Sequence, residues 1–333
     1  MTAPAISMEK TCNPSAAAGS PGTAACGALA DACFCATLDE QQLGAAIAQE
    51  LGDRELAGQV VSDWAAAFAR WPVFVSFTDW ARMARVVDAV EEVVALAGWR
   101  EEALRSAPEI SRHSPQGAAG VFFGYDFHVA SGNIGLIEIN TNAGGALVNT
   151  LLARAQRRCC ASIRHLQPGG AEADTFEAEI VQMFRSEWRL ARGDEPLRCV
   201  AIVDESPETQ YLHAEFLLFE RLLSRHGIRA VIADPGQLSF HAGVLRCGDM
   251  RVDLVYNRLT DFYLASPNCA ALRSAYLQDA VVLTPHPQAH ALYADKRRLV
   301  TLSDQDALQR LGASERARAA LRDAVPPTSI VTP

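Results

Sequence analysis

The segment of this chain best equipped for chemistry is Leu136-Ile-Glu-Ile-Asn-Thr-Asn-Ala-Gly-Gly145, preceded by Gly124-Tyr-Asp-Phe-His-Val129. Side chains alternate along a strand, so Glu138 and Asn140 share one face while Ile137 and Ile139 are expected on the other, against a core. A carboxylate and an amide carbonyl at that spacing suit a hard cation such as Mg²⁺, which keeps several waters and takes further oxygens from phosphate. The glycines of Asn142-Ala-Gly-Gly145 permit a backbone approach that a Cβ would block. Amide groups at Gly144 and Gly145, at the start of the next helix, could meet a phosphate or other anion. An exposed strand face followed by an ordinary turn gives the same pattern, and spacing alone does not separate the two.

A second set of candidates lies further along. Arg258 ends the run Asp253-Leu-Val-Tyr-Asn-Arg258. At the carboxyl end of a buried strand its guanidinium can grip a substrate carboxylate with two parallel donors. The alternative is an arginine paired with a structural acid, such as Asp261. Gln210, Tyr211 and Glu215 form a polar stripe on an otherwise apolar helix, which a solvated helix face also explains. Lys296 and Arg297 carry a fainter signal of the same kind.

The elements that must position these residues follow from periodicity and punctuation. Residues 1–36 are rich in Ala, Gly, Ser, Pro and Cys without a periodic apolar face, and a disordered tail is expected there. Within it Cys26, Cys33 and Cys35 could clasp a metal, form a redox pair or be incidental. Leu38, Leu43, Ile47 and Leu51, then Leu56, Val60, Trp64 and Phe68, suggest two amphipathic helices broken around Gly52. Residues 73–77 read as a strand, and the stretch to about Ala97 as a helix capped by Thr78 or Asp79. Residues 121–129 and 134–139 read as extended segments joined by a turn containing Gly132 and Asn133, a hairpin. Helices are expected over residues 146–166 and 175–190.

Strands are then predicted at residues 200–203, 230–232, 252–256 and 281–283, and helices at 208–226, 269–277 and 293–302, with a weak hairpin at 238–245. Strands alternating with helices in this way make a doubly wound α/β unit with a parallel sheet, whose ligands sit at the carboxyl ends of the strands. The expected organisation is a tail over 1–36, a helix-rich part with a short antiparallel sheet carrying the metal-binding hairpin over 37–195, an α/β substrate-binding domain over 196–304, and a helical stretch over 305–333.

On these residues the chain resembles a known family. Ile137-Glu-Ile-Asn-Thr141 looks like the metal-binding strand of eukaryotic-type glutathione synthetases and of related bacterial proteins in the permuted ATP-grasp and glutathionylspermidine synthetase group. Val200-Ala-Ile-Val-Asp-Glu205, Gln210-Tyr-Leu-His-Ala-Glu-Phe216, Asp253 to Arg258, and the stretch from His290 to Leu302 with Asp295-Lys-Arg297 follow in the family's order, so the resemblance spans about residues 122–304. It implies that Glu138 and Asn140 ligate the Mg²⁺ ions that bridge ATP phosphates. Asp126 falls where the family also has an aspartate. Arg258 and Tyr263 would contact a peptide substrate, with Asp126, Asn142 and Gln210 as further substrate-binding candidates. The implied activity is ATP-dependent amide-bond formation, in which a substrate carboxylate is phosphorylated and an amine attacks the acyl-phosphate.

Two departures accompany the resemblance. Glutathione synthetases carry an arginine where this chain has Gly124, so γ-glutamylcysteine does not follow as the substrate. The family also continues into a Lys-Pro strand, a glycine-rich phosphate-covering loop and a second metal-binding carboxylate, whereas this sequence ends at Ser329-Ile-Val-Thr-Pro333. The expectation is a truncated, partial ATP-grasp domain, with feeble or absent ATP turnover alone and a separate polypeptide carrying the missing half. The competing expectation is a non-catalytic module that binds a small peptide or an amino acid.

Composition sets the outer limits. The 333 residues are 49% apolar and 21% charged, ordinary for a globular chain with two cores. A net charge of −9 and a pI near 5.4 give no support to nucleic-acid binding, which needs clustered Lys and Arg. No apolar run approaches the roughly 20 residues of a membrane span and no secretory signal is present, so a cytoplasmic location without membrane contact is expected. The nine cysteines lack a double C-x-x-C spacing. Acidic Asp204-Glu-Ser-Pro-Glu208 after the strand at 200–203, in place of G-x-G-x-x-G, sets aside a nicotinamide-dependent enzyme, and the lack of G-x-S-x-G sets aside a serine hydrolase.

Overall fold

The computed structural model describes residues 75–130, 132–159 and 170–331, with isolated helical positions between Ala45 and Val61. The expected tail with Cys26, Cys33 and Cys35 lies outside the described residues, as do most positions of the two expected N-terminal helices. The first continuous helix, α1, spans Phe77–Ala95 and is capped by Ser76, whose Oγ accepts the Asp79 N–H at 3.0 Å and donates to its carboxylate at 2.7 Å. The cap is therefore Ser76 rather than Thr78 or Asp79. The strand expected over 73–77 is also not formed at its described end, where Phe77 already belongs to the first helical turn. Reciprocal capping satisfies helix-end donors and outweighs the β-propensity of a short apolar run. Leu96 adopts extended backbone and separates α1 from α2 (Ala97–Arg105).

The hairpin β1 (Gly124–Ala130) and β2 (Asn133–Asn140) is antiparallel, as the turn residues predict. Its register shifts between Asp126 and Phe127, which pair with Glu138 and Leu136, so Ile137 bulges out without a partner. The Leu136 N–H meets the Ala324 carbonyl at 2.7 Å. A bulge resets the two-residue alternation. The core side of β2 is therefore Ile134, Leu136 and Ile139, while Ile137, expected inside, is 52% exposed.

After α3 (Ala146–Cys159) and α4 (Gly170–Arg192) comes the parallel sheet. It is built from β3 (Cys199–Val203), β4 (Arg229–Ala233), β8 (Leu254–Asn257) and β9 (Val282–Thr284), in the order β4-β3-β8-β9. Helix α5 (His213–Arg225) connects β3 to β4, and a three-stranded antiparallel insert of β5 (Leu238–His241), β6 (Val244–Cys247) and β7 (Met250–Arg251) precedes β8. Helix α6 (Ala270–Leu277) connects β8 to β9. Alternate residues go to opposite faces: Val200, Ile202, Leu254 and Tyr256 pack with α3, α4 and α5, while Ala201, Val203 and Val255 pack with α6 and the insert. Burial on both faces is what a doubly wound sheet requires, and it explains the uninterrupted apolar strands.

The helix expected over 293–302 is instead a π turn, His290–Ala294, followed by α7 (Arg298–Ser303). Helices α8 (Gln305–Leu311) and α9 (Glu315–Arg322) follow, and Leu302, Leu308 and Leu321 share one core with Val90 and Val93 of α1 and with Leu136 and Ile139 of the hairpin.

Candidate functional site

The hairpin bulge leaves Glu138 and Asn140 on one face, as expected, and places Asp126 directly across from Glu138. The Asn140 amide donates to Glu138 Oε1 at 3.2 Å and to Asp126 Oδ2 at 3.4 Å. The second Glu138 oxygen pairs with Lys296 Nζ at 2.8 Å, just after the π turn. Hydrogen bonds from Lys296 and Asn140 hold the Glu138 carboxyl below its ordinary value. Partial desolvation, then the facing Glu138 charge, raise Asp126. Two unlike carboxyls under one amide and one ammonium form a compact polar cluster beside the core of the hairpin.

Above the cluster the π turn packs its aromatics. Phe123 stacks on Tyr293 at 4.7 Å, and the Tyr125 and Tyr293 hydroxyls both donate to Glu91, at 3.0 and 2.7 Å. These contacts fix the segment that delivers Lys296. Single π turns recur at functional sites because they displace one side chain from helical register.

The second group of candidates lies at the carboxyl ends of β3 and β8, where the chain leaves β3 for β4 on one side and later returns to β8 on the other. Such a switch point is the usual crevice of an open α/β sheet. Arg258 stands there, 8% exposed, its backbone N–H donating to the Val203 carbonyl at 2.8 Å. It does not pair with Asp261, which instead accepts the Ala265 and Ser266 amides. Arg258 Nη1 donates to the carbonyls of Asn142 and, at 2.9 Å, Ala143, and lies 3.5 Å from the Tyr256 hydroxyl.

Asn142 donates to the Leu259 carbonyl at 3.4 Å, so the turn after β2 and the end of β8 hold each other. Gly144 is required by that closeness: a Cβ there would collide with Leu212 and lie 2.8 Å from Arg258 Nη2. Gly145 has φ +94°, a conformation open to glycine. Gly124, where the resembled family has arginine, is likewise filled from outside, since a Cβ would come within 2.8 Å of the Ala143 methyl. Tyr263 sits half-buried, edge-on to His290 at 5.4 Å, while Phe262 stacks flat on the same imidazole at 3.7 Å. Gln210 donates to the Glu205 carbonyl at 2.6 Å on the loop leaving β3.

Glu215 proves more central than its place in a polar stripe implied. It is 2% exposed, in the first turn of α5, and its Oε2 is buried without a hydrogen-bond partner among the described residues. Burial raises this carboxyl, opposed by the Arg258 charge. The signal was a lone carboxylate between Ala214 and Phe216 on an apolar helix. Asp204, at the end of β3, is raised to about 6 by burial, with Arg258 again acting against the rise. Lys296 carried little sequence signal, because its partner is remote in the chain.

Among the described residues no group of three or more His, Cys, Asp and Glu side chains is spaced to hold a metal ion, and no helix is long and apolar enough to cross a membrane. The hairpin cluster offers two carboxylates and one amide, all hard oxygen donors once the Asn140 amide turns its carbonyl inward. That set fits Mg²⁺, which binds through one or two carboxylates and completes its shell with water and phosphate.

No protein-family model matches the chain, and no curated protein matches it in sequence. Among solved structures it matches a glutathione synthetase-like effector from Globodera pallida, determined in its apo form, with a TM-score of 0.56 at 14% identity. The match covers 87% of this chain and 72% of that one. The chain thus has a glutathione synthetase-like fold, mixed α/β with a four-stranded parallel sheet and small antiparallel sheets.

Proposed function

We propose that this chain carries the metal- and substrate-binding part of an ATP-dependent carboxylate-amine ligase of the ATP-grasp type. The observation that supports it is the convergence of Asp126, Glu138 and Asn140 on one face of the hairpin, with Lys296 ion-paired to Glu138. In this reading Glu138 and Asn140, helped by Asp126, hold Mg²⁺. The bound ion would neutralise charge on ATP phosphates. Lys296 holds the second Glu138 oxygen and would yield it when the ion binds.

The substrate, a small peptide or an amino acid, lies at the switch point between β3 and β8, near Asn142, Gln210 and Tyr263, where Arg258 supplies a buried positive field. Its carboxylate takes the γ-phosphoryl group of ATP, with ADP as leaving group, and an amine then displaces phosphate to form the amide. Phosphoryl transfer of this kind depends on positioning and charge neutralisation more than on covalent help from the protein.

The test is calorimetric titration of the full chain with ATP in the presence and absence of Mg²⁺. Binding that requires Mg²⁺ and weakens at least about tenfold in Glu138→Ala is expected, that being a loss of ~1.4 kcal/mol. Small-peptide binding indifferent to Mg²⁺, to ATP and to Glu138 would instead establish a non-catalytic binding module.

A further inference from the structure

We infer that Phe262 is a positioning residue: stacked on His290, it holds the π turn in the register that brings Lys296 to Glu138. The path between them is short. The Phe262 ring lies flat on the His290 imidazole, with centroids 3.7 Å and planes 9° apart, and Tyr263 closes one edge at 5.4 Å. His290 opens the π turn, and its carbonyl accepts the Asp295 N–H at 3.2 Å, immediately before Lys296. The Asp295 side chain and carbonyl then accept the amides of Arg297 and Arg298, at 3.0 and 2.7 Å. Lys296 is thus pinned between two tied residues, and its Nζ reaches Glu138 at 2.8 Å.

The two partners of the stack are held very differently. Phe262 sits on a loop closed on itself: Asp261 accepts the Ala265 and Ser266 amides, Arg273 donates to the Tyr263 carbonyl at 3.0 Å, and Leu264 is fully buried. The His290 side chain has its Nδ1 buried without a hydrogen-bond partner among the described residues, so its ring rests on the two aromatics. A π turn carries one residue more than an α-helical turn, and slipping to α register swings a side chain through about 100°. Flat ring contact opposes that slip, because it is lost once His290 rotates. The loop that carries Phe262 leaves the switch point just after Arg258, so the crevice and the hairpin face are joined through His290. That this joins a substrate to an ion rests on the proposed function; the link from Phe262 to the Lys296–Glu138 pair does not.

The sequence supplies its own reporter, since its only lysines are Lys10 and Lys296. An amine held by a carboxylate reacts more slowly with an acylating reagent. The acetylation rate of Lys296 relative to Lys10, followed by mass spectrometry on the full chain, therefore measures the pair. Glu138→Gln should raise this ratio about two- to fivefold, as the loss of an exposed ion pair allows. Phe262→Ala and Phe262→Leu should raise it by a similar factor. Phe262→Trp, which keeps a flat ring, should not, and neither should Leu222→Ala, a core truncation in α5. Combining Phe262→Leu with Glu138→Gln should give no further rise, because both act on one interaction. Should Phe262→Ala fail to fold, Phe262→Leu still decides, since it keeps most of the apolar volume. An unchanged ratio in Phe262→Leu or in Glu138→Gln overturns the inference, as do rises that add in the double variant.

Mn²⁺ binding, followed by electron paramagnetic resonance, is the second readout. Phe262→Leu should tighten it by the same several-fold factor as Lys296→Met, with no further gain when the two are combined. A further gain overturns the route through Lys296. Wild-type protein that takes up no Mn²⁺ would overturn the proposed function instead, and the acetylation ratio would then judge Phe262 alone.

Discussion

Lys296 Nζ lies 2.8 Å from Glu138 Oε2, so a cation of the chain itself occupies one oxygen of the candidate metal ligand. The lysine side chain is 76% exposed and the glutamate 28%, an arrangement in which water screens the pair and contributes little to folding. Its consequence is local charge. Lys296→Met should leave thermal stability nearly unchanged while tightening the binding of Mn²⁺ alone several-fold, because the ion no longer competes with an ammonium. Equal Mn²⁺ affinity in the two proteins would show that Lys296 does not hold Glu138 in solution.

The glycine turn gives a second expectation. Adding a Cβ at Gly144 forces Leu212 and Arg258 apart in a packed site, which costs ~1–3 kcal/mol by overpacking. Gly145→Ala meets only Asn149, at 3.2 Å, but must hold φ +94°, a strain of ~1–2 kcal/mol. Urea unfolding should therefore show both variants destabilised, and mutation of Gly243, which has φ +76° with open space around it, provides the strain-only comparison. If Gly144→Ala is as stable as wild type, the closeness of β8 to the turn is not maintained in solution.

These contacts mark the boundary of what the sequence makes legible. The strands of the parallel sheet are recognisable within a residue or two, because β-branched runs such as Val200-Ala-Ile-Val203 are buried on both faces and have no competing pattern. Glu138 and Asn140 share a face for the same two-residue reason. The bulge at Ile137 escapes sequence reading, since it depends on the pairing of Leu136 with Phe127 and on the Ala324 carbonyl at the other end of the domain. The role of Arg258 escapes it as well: its end-of-strand position is readable, but its partners at Asn142 and Ala143 are 116 and 115 residues away. Lys296 belongs to this group too, its partner Glu138 being determined only by tertiary packing.

A third prediction concerns the framework under the crevice. Glu187, 4% exposed on α4, accepts the Ala119 and Gly120 amides at 3.0 Å each and the Thr284 hydroxyl at 2.8 Å. One carboxylate thus joins α4, the loop before β1 and the end of β9. Glu187→Ala leaves these donors buried without an acceptor and should cost roughly 3 kcal/mol or more. Glu187→Gln, which keeps one acceptor, should cost less. Equilibrium unfolding of the two variants checks the order, and equal losses would mean that packing volume rather than hydrogen bonding matters at this position.

Acid should weaken the fold through its buried imidazoles. His286 accepts the Ala289 N–H at Nδ1 and pairs with the Ala118 carbonyl at Nε2, so the neutral ring satisfies both partners. Burial, with the charges of Arg100 and His113, lowers it from 6.5 to about 4, and burial lowers His290 to about 4 as well. Each unfolded imidazole takes a proton below pH 6.5 that the folded one refuses until about pH 4. Their contribution to stability is thus complete above pH 6.5 and is lost as the pH falls toward 4, at up to about 1.4 kcal/mol per pH unit for each ring. Asp204 acts in the opposite sense: raised to about 6 by burial, it binds a proton in the folded state first and adds stability as the pH falls through 6. Urea midpoints measured between pH 7 and 4.5 should therefore fall more steeply for wild type than for His286→Gln, by close to one proton's worth of slope. Parallel curves would mean that the His286 ring is already charged inside the fold.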